Sequence, residues 1–231
     1  MDMDAKKIFA KARREKRTLL TPDESFELLK LYRIPVAQYA VVRDADEAVK
    51  AANRISYPVA LKAVSRKVTH KTDMGGVALG IESAGELRAG LDKMQKKLKK
   101  AGVRADAFLV QAMAGPGQEV IVGGKKDPQF GQTVVFGAGG VYVELMDDAA
   151  LRIVPISKSD AAEMMSETKM YSILKGFRGK SYDIEAAADV LMKASKMLAD
   201  NGEIAELDIN PVVVMADKAG AVAVDARIVL G

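Results

Sequence analysis

The chain of 231 residues contains no cysteine, no tryptophan and a single histidine, His70. The absence of cysteine excludes disulfides and leaves His70 as the first candidate for a covalent intermediate. No apolar run approaches the roughly 20 residues that span a bilayer. Residues 1–7 lack the apolar core of a secretory signal. We therefore expect a cytoplasmic protein that does not contact a membrane.

Positive charge is concentrated at the start of the chain. Residues 1–20 hold seven lysines and arginines against three acids, and this excess of +4 equals the net charge of the whole chain. A second basic stretch, residues 93–100, falls on a predicted helix. Few aromatic residues lie near either stretch, so we do not expect nucleic-acid binding. We interpret residues 1–20 as a helix that faces solvent or a partner.

Helices and strands alternate in the first half of the chain. Thr21, Pro22 and Glu24 combine a capping hydroxyl, a proline at the first helical position and an acid three residues after the cap, so a helix begins there. We predict strands at 38–42, 58–64, 77–81 and 108–113, with helices at 44–54 and 83–100. This β-α-β-β-α-β order predicts a small α/β lobe.

Consecutive strands with glycine-rich turns open the second half, which favours an antiparallel sheet. The predicted strands are 117–124, 132–136, 141–144, 151–154, 204–209, 212–215 and 221–225, and the predicted helices are 159–174 and 182–200. We expect an α/β (α+β) protein of two lobes, residues 21–111 and 112–231, with residues 1–20 packed on the second lobe. A cleft between two lobes is a common place for a ligand.

A lysine within an apolar strand is the first candidate binding residue. Lys62 has apolar neighbours on both sides, and a buried ammonium needs a carboxylate or a phosphate as its partner. The alternative is a lysine on the exposed face of an edge strand. Lys62 is followed by a polar stretch that ends at Gly75 and Gly76, which is similar to a phosphate-binding loop but matches no strict P-loop.

A group of oxygen-bearing side chains near the end of the chain is the second candidate. Glu206, Asp208 and Asn210 alternate with apolar residues, so they share one face of a strand, and Asp225 follows on a later strand. Carboxylate and amide oxygens on adjacent strands suit Mg²⁺. The alternative is a strand whose polar face is simply in water.

Three further residues and one glycine run carry weaker signals. Glu119 could bind a ribose hydroxyl or face solvent. The glycines of residues 137–140 mark a tight turn more often than a phosphate site. Arg152 and Arg178 could clamp phosphates, although each arginine taken alone is more often structural.

Together these segments resemble the ATP-grasp family, and specifically the β subunit of ADP-forming acyl-CoA synthetases. The resemblance extends over residues 15–231 and is carried by Tyr-Pro-Val-Ala-Leu-Lys at 57–62, Thr-His-Lys-Thr-Asp-Met-Gly-Gly-Val at 69–77, Gly-Gln-Glu-Val at 117–120, Phe-Gly-Ala-Gly-Gly at 136–140 and Glu-Leu-Asp-Ile-Asn-Pro at 206–211. Several segments in the right order are far more specific than any one of them.

The resemblance implies an ATP-grasp fold with ATP or ADP bound in the cleft between the lobes. Lys62 would hold the nucleotide phosphates, Gln111 and the neighbouring backbone would face the adenine, and Glu119 would bind the ribose. Asn210 and Asp225 would ligate Mg²⁺, with Asp208 beside them.

The resemblance also implies a role for His70. In these synthetases a phosphoryl group passes from an acyl phosphate to a histidine of the CoA-binding subunit, and a second histidine relays it to ADP. His70 matches the position of that second histidine. The 12 residues from 65 to 76 could reach out and back by about 18–20 Å if extended, which suits a carrier.

No CoA-binding nucleotide fold or acyl-activating site is evident in the sequence. The resemblance therefore implies a partner, a CoA-binding α subunit with its own histidine, in an α2β2 heterotetramer. Two alternatives remain open: a stand-alone ATP-grasp ligase that joins a carboxylate to an amine through an acyl phosphate, and a non-catalytic subunit that senses ATP.

Overall fold

The computed structural model describes residues 2–65, 75–139, 148–176 and 179–231. Its contacts divide the chain into two compact units. We call Ala37–Met113 the inserted unit, because it interrupts the other one. We call Met1–Val36 together with Ala114–Gly231 the split unit.

In chain order the elements are α1 (Asp2–Arg14), α2 (Pro22–Leu31), β1 (Tyr39–Val42), α3 (Ala45–Ile55), β2 (Val59–Val64), β3 (Val77–Ile81), α4 (Ala84–Lys100), β4 (Ala107–Ala112), β5 (Gly117–Asp127), β6 (Gly131–Ala138), β7 (Ala149–Ile153), α5 (Lys158–Ser166), α6 (Lys169–Gly176), α7 (Ile184–Asp200), β8 (Ile204–Met215), β9 (Ala221–Ala223) and β10 (Arg227–Leu230). None of the helices among these described residues is both long and apolar enough to cross a membrane.

The inserted unit is an antiparallel sheet in the order β1-β4-β2-β3, with α3 and α4 against one face. Alternating residues of the strands, such as Leu61, Phe108 and Val110, enter a core with apolar residues of both helices. The helices begin where the sequence predicts. The Asp44 carboxylate accepts the backbone N–H groups of Asp46 and Glu47, and the Ser83 hydroxyl accepts that of Glu86.

The split unit contains the larger sheet, in the order β10-β8-β5-β6-β7 with β9 paired to β8, and every pairing is antiparallel. Helices α5, α6 and α7 lie on one face of this sheet. Helix α7 approaches very closely, because a Cβ placed on Gly124 of β5 would collide with Leu198. Val120 and Val122 point to the same side and are completely buried.

Both helices of Met1–Val36 belong to the split unit. The backbone N–H of Leu20 donates to the carbonyl of Ile228 in β10 at 3.0 Å. Asn201, just after α7, donates to the hydroxyl of Tyr32 at 2.8 Å. We expected the first lobe to begin at residue 21, but these contacts place α2 with the second half of the chain. The division falls at Val36 and again at Met113.

A cluster of charges joins α1 to α2. The Glu24 carboxylate accepts two hydrogen bonds from Arg17, each 2.9 Å long, and one from the backbone N–H of Thr21. Lys11 also lies 2.9 Å from it. Burial alone would raise the pKa of Glu24, but these donors outweigh it and lower the pKa to about 2.

Three predicted elements differ from the structure, and one strand of the structure was not predicted. The helix predicted at 159–174 is broken into α5 and α6 at Thr168, whose hydroxyl donates to the carbonyl of Met165. The strands predicted at 204–209 and 212–215 form one strand, β8, with an irregular step at Asn210 and Pro211. Strand β10 was not predicted. The strand predicted at 141–144 lies outside the described residues.

Candidate functional site

In the inserted unit, Lys62 and Gln111 share one face of the sheet. Strand β2 pairs with β4 so that Ala60 lies opposite Gln111 and Lys62 lies opposite Leu109. Since Leu61 and Val110 enter the core beneath α3 and α4, alternation puts Lys62 and Gln111 on the other face. β2 lies between β4 and β3. The edge-strand alternative for Lys62 is therefore wrong.

Gln111 is a buried polar side chain with spare hydrogen-bonding capacity. Only 1% of the residue is exposed, and its amide Nε2 has no hydrogen-bond partner among the residues that the structure describes. A buried donor without a partner costs about 1–3 kcal/mol. Such a donor on the same face as Lys62 suits a polar ligand.

In the split unit, Glu119 and Asp208 lie on the face of the sheet opposite α7. Strand β5 directs Gly124 toward α7, so Glu119 and Gly123 point the other way. Asp208 of β8 lies opposite Gly123 and therefore shares that face. Arg227 of β10 pairs with Asp208 from the other side.

The chain around Asp225 approaches a bulge in β8 that contains Asn210. Val122 pairs with Ile209 and Val120 with Val212, so β8 has one more residue than β5 between these pairs. Asn210 and Pro211 occupy the bulge. The backbone N–H of Val224 donates to the carbonyl of Pro211 at 3.1 Å, which brings the neighbouring Asp225 to the bulge.

The acidic side chains of this face fit a divalent cation. Burial, together with the nearby charges of Asp225 and Glu206, raises the pKa of Asp208, while Arg227 opposes the rise. The Asp208 Oδ1 is buried without a hydrogen-bond partner in the described part of the chain. A cation would satisfy that oxygen and offset the repulsion between the carboxylates.

The oxygen ligands available are few. The described residues contain no group of three or more His, Cys, Asp or Glu side chains arranged to hold a metal. Mg²⁺ commonly takes one or two protein carboxylates and completes its shell with water and substrate phosphates. Asp208, Asn210 and Asp225 match this pattern.

The glycine run that begins in the last residues of β6 fixes the backbone beside Glu119. The N–H of Gly139 donates to the carbonyl of Glu119 at 3.0 Å. A Cβ on Gly139 would lie 2.6 Å from the carbonyl carbon of Val120, closer than real atoms approach, so only glycine fits there. This close contact gives Gly139 a structural role. Gly140, the last glycine of the run, lies outside the described residues.

Arg152 is not brought to the acidic group. It lies opposite Val134 on the face that carries the helices, and its guanidinium donates to Glu167 at the end of α5. The structure therefore gives Arg152 a partner of its own, away from Glu119 and Asp208. His70 and Arg178, the other predicted site residues, lie outside the described residues.

Sequence reasoning missed Arg227. Its Nη1 lies 2.8 Å from the Glu206 carboxylate, so it partly neutralises the group around Asp208. The local signal was the Arg-Ile-Val-Leu segment at 227–230, whose run of β-branched and apolar residues is typical of a strand. Its pairing with β8 depends on the fold and could not be read from the sequence.

These two antiparallel sheets and the polar groups on them define the class of protein. A family profile described as an ATP-grasp domain matches residues 11–230, nearly the whole chain. The chain belongs to the ATP-grasp family, and the fold that the resemblance implied is confirmed.

Two curated relatives show which members of the ATP-grasp family the chain is similar to. The chain is 43% identical over 229 residues to the acetate–CoA ligase [ADP-forming] I subunit beta of Pyrococcus furiosus, covering 98% of this chain and 97% of that protein. It is 45% identical over 212 residues to the acetate–CoA ligase [ADP-forming] I of Archaeoglobus fulgidus, covering 90% of this chain but 30% of that protein. The predicted relationship to β subunits of ADP-forming acyl-CoA synthetases is confirmed.

A solved structure of a relative contains a bound nucleotide analogue. The chain matches the acetyl-coenzyme A synthetase 1 of Ca. Korarchaeum cryptofilum in complex with coenzyme A and Mg-AMPPCP. The TM-score is 0.86 and the identity 40%, covering 98% of this chain and all of the other. In that complex a phosphohistidine segment points towards the nucleotide-binding site.

Proposed function

We propose that this chain is the nucleotide-binding β subunit of an ADP-forming acyl-CoA synthetase. The enzyme interconverts acyl-CoA, ADP and phosphate with a carboxylic acid, ATP and CoA. The observation that carries the proposal is the match to a β subunit over nearly the full length of both chains. The phosphohistidine segment of the Korarchaeum relative supports it.

In the proposed site, the side chains described above bind different parts of the Mg²⁺-nucleotide. Lys62 binds the phosphates and Gln111 contacts the adenine, while Glu119 binds the ribose. Asp208, Asn210 and Asp225 hold Mg²⁺, which neutralises charge on the phosphoryl group when it is bound. Phosphoryl transfer depends on positioning and charge neutralisation, and these residues supply both.

His70 carries the phosphoryl group in this proposal. In the direction of ATP use, a ring nitrogen of neutral His70 forms a bond to the γ-phosphorus as the bond to the ADP oxygen breaks. The product is a phosphoramidate, and the ring releases its proton. The reverse step regenerates ATP from phosphohistidine and ADP.

A second subunit completes the reaction. We propose a CoA-binding α subunit with its own histidine, assembled as an α2β2 heterotetramer in the cytoplasm. The Archaeoglobus relative supports a division of labour, because this chain aligns with only 30% of that protein. Arg178 acts as a phosphate clamp in this proposal, whereas the guanidinium of Arg152 is already paired with Glu167.

Labelling with γ-labelled ATP tests the proposal. The complex of this chain with its partner should acquire acid-labile, base-stable phosphate on this chain. His70→Ala should abolish the label and acyl-CoA synthesis, while nucleotide affinity stays within a few-fold. Thr69→Ala, a neighbouring control, should keep the label.

Two outcomes would contradict the proposal. If His70→Ala keeps more than about a tenth of the wild-type rate, the activation barrier has risen by less than about 1.4 kcal/mol. His70 is then not an obligatory carrier. If the wild-type chain binds ATP but never becomes labelled, the chain is a sensor of ATP or a ligase that works through an acyl phosphate.

A further inference from the structure

Strand β5 gives a direction to the face of the split-unit sheet that lies opposite α7. Its pairing with β6 is regular over residues 120–127, so its side chains alternate, and Glu119, Gly123 and Lys125 all lie on this face. Asp208 lies opposite Gly123, and the bulge of β8 lies between Gly123 and Glu119. The proposed ribose residue, the proposed cation site and Lys125 therefore follow one another along β5 in this order.

The described residues leave room at Gly123, beside Asp208. Apart from its chain neighbours, a Cβ built on Gly123 would have one described atom within 4 Å, the carbonyl oxygen of Leu207 at 3.1 Å. Gly123 itself is buried, so this room lies among neighbouring side chains and not on an open surface. The Oδ1 of Asp208 is also buried and has no hydrogen-bond partner among the described residues. A polar ligand group would fit there.

Lys125 is the next residue of β5 on this face, about 7 Å beyond Gly123. It is exposed, and its ammonium makes no hydrogen bond or ion pair with any residue of the described ranges. A lysine combines a compact charge with a flexible stem of four carbons. The ammonium can therefore reach back towards an anion that lies over Gly123.

Two acids flank Lys125 in the sheet, and other donors hold them. Glu206 lies opposite Lys125 in the pairing of β5 with β8, but its carboxylate accepts a hydrogen bond from Arg227 at 2.8 Å. Asp127 follows on β5, and its Oδ1 accepts two backbone N–H groups of the turn between β5 and β6. The charge of Lys125 is thus available to a ligand, whereas that of Arg227 is already paired.

We propose that Lys125 binds the terminal phosphate of ATP and so distinguishes ATP from ADP. This inference rests on the proposed function and adds one residue to the site. With the ribose at Glu119 and Mg²⁺ at the bulge of β8, the phosphates extend along β5 towards Gly123, and the last of them lies nearest to Lys125. The ammonium donates a charge-assisted hydrogen bond to that phosphate. ADP ends one phosphate earlier and lacks this contact.

Calorimetric titration of the full chain in the presence of Mg²⁺ tests this role. The two ligands are ADP and the β,γ-methylene analogue of ATP, which cannot transfer its terminal phosphate. We expect Lys125→Met to weaken binding of the analogue at least fivefold and to leave the affinity for ADP within about twofold of wild type. Lys125→Arg keeps the charge and should retain the affinity for the analogue within about threefold.

Lys126→Met is the matched control on the same strand. Lys126 lies on the other face of β5, and its ammonium donates to the carbonyl of Gly202 at 3.0 Å. Its replacement removes the same charge and should leave both affinities within about twofold of wild type. Lys62→Ala provides the contrasting pattern, because it should weaken the binding of both nucleotides.

The failures of the two proposals are distinguishable. A wild-type chain that binds neither nucleotide would overturn the proposed function. If the wild type binds both, an unchanged affinity of Lys125→Met for the analogue would overturn only the role of Lys125. An equal loss of both nucleotides in Lys125→Met would also contradict that role, as would a loss of the analogue in Lys126→Met or Lys125→Arg as large as in Lys125→Met.

Discussion

Residues of the same charge have different surroundings in this protein, depending on the strand and the strand face that they occupy. Lys62 and Arg152 are both cations on strands. Lys62 lies on an inner strand, on the face away from the helices. Arg152 lies on the helix-covered face of an edge strand and binds Glu167. The chemistry available to each cation follows from this placement and not from its charge.

Replacement of Lys62 should weaken nucleotide binding. In Lys62→Ala we expect the affinity for ADP or ATP to fall at least tenfold, about 1.4 kcal/mol, because charge-assisted hydrogen bonds contribute about 1.5–3 kcal/mol. Isothermal titration calorimetry in the presence of Mg²⁺ measures this change. Lys93→Ala, on the exposed surface of α4, is the control. Unchanged affinity in Lys62→Ala would remove Lys62 from the site.

Asp208→Asn should have opposite effects on stability and on binding. Folding raises the pKa of Asp208, chiefly through burial, so its charged form is less favourable in the folded chain than in the unfolded one. At neutral pH without Mg²⁺ we expect the variant to be at least as stable as wild type in urea unfolding. Its affinity for Mg²⁺-ATP should fall at least tenfold.

The control for Asp208→Asn is Asp189→Asn, which alters a partly exposed ion pair with Lys193 on α7. It should change the free energy of unfolding by less than about 0.5 kcal/mol and leave binding intact. Full Mg²⁺-ATP affinity in Asp208→Asn would show that Asp208 is not part of the cation site.

At the scale of elements, polar contacts decide how helices and strands meet. Helix α1 is joined to α2 through Glu24, whose side chain is only 6% exposed and binds Arg17 and Lys11. The start of α6 is capped by Asp148, whose carboxylate accepts the N–H groups of Lys169 and Met170. Both contacts bring together residues that are well separated along the chain.

The charge cluster at α2 predicts a pH dependence of stability. Glu24→Gln should lower the free energy of unfolding at pH 7 by about 2–3 kcal/mol, because the pKa of Glu24 is about 2 in the folded chain and 4.5 in the reference state. Because folding lowers the pKa of Glu24, its charged carboxylate stabilises the fold above pH 4.5. This stabilisation is lost as the pH falls toward 2. Wild type and variant should therefore converge in acid.

Urea unfolding at a series of pH values measures this convergence. Glu27→Gln is the control on the same helix, since Glu27 forms an exposed pair with Lys30 and should contribute less than about 0.5 kcal/mol. A constant difference between Glu24→Gln and wild type from pH 7 to pH 3 would contradict the role of the Glu24 charge.

Local patterns predicted most elements, and long-range contacts explain the errors. Strand β3 and the starts of α3 and α4 agree with the sequence, because alternation and capping residues act over a few positions. The break between α5 and α6 depends on Asp148, about 20 residues earlier, and so leaves no local signal. Alternation along β8 predicts that Asp208 and Asn210 share a face, and their role at a cation stays a prediction, whereas the contribution of Arg227 requires the β8–β10 pairing.

At the scale of the whole molecule, one unit is inserted into the other. The ends of the inserted unit are close together, because Ala112 donates its N–H to the carbonyl of Gln38 at 2.8 Å. The inserted unit carries Lys62 and Gln111, and the split unit carries the acidic group. Each unit has buried apolar residues of its own.

The isolated chain should bind nucleotide without making acyl-CoA. Incubation with ATP, Mg²⁺, CoA and a panel of short-chain and aryl acids should yield no thioester, because we identify no CoA-binding segment in the sequence. Mass spectrometry of the reaction detects any product, and calorimetry confirms that the chain binds ATP. Sustained thioester formation by the chain alone would overturn the two-subunit proposal.

The contact between Leu20 and β10 has a consequence for synthesis on the ribosome. The inserted unit finds all its strand partners within residues 37–113, so it can fold while translation continues. The segment around Leu20 must wait for Ile228, about 200 residues later, which takes on the order of 10–40 s at typical elongation rates. The segment around Leu20 is thus synthesised well before the strand that it pairs with in the folded chain.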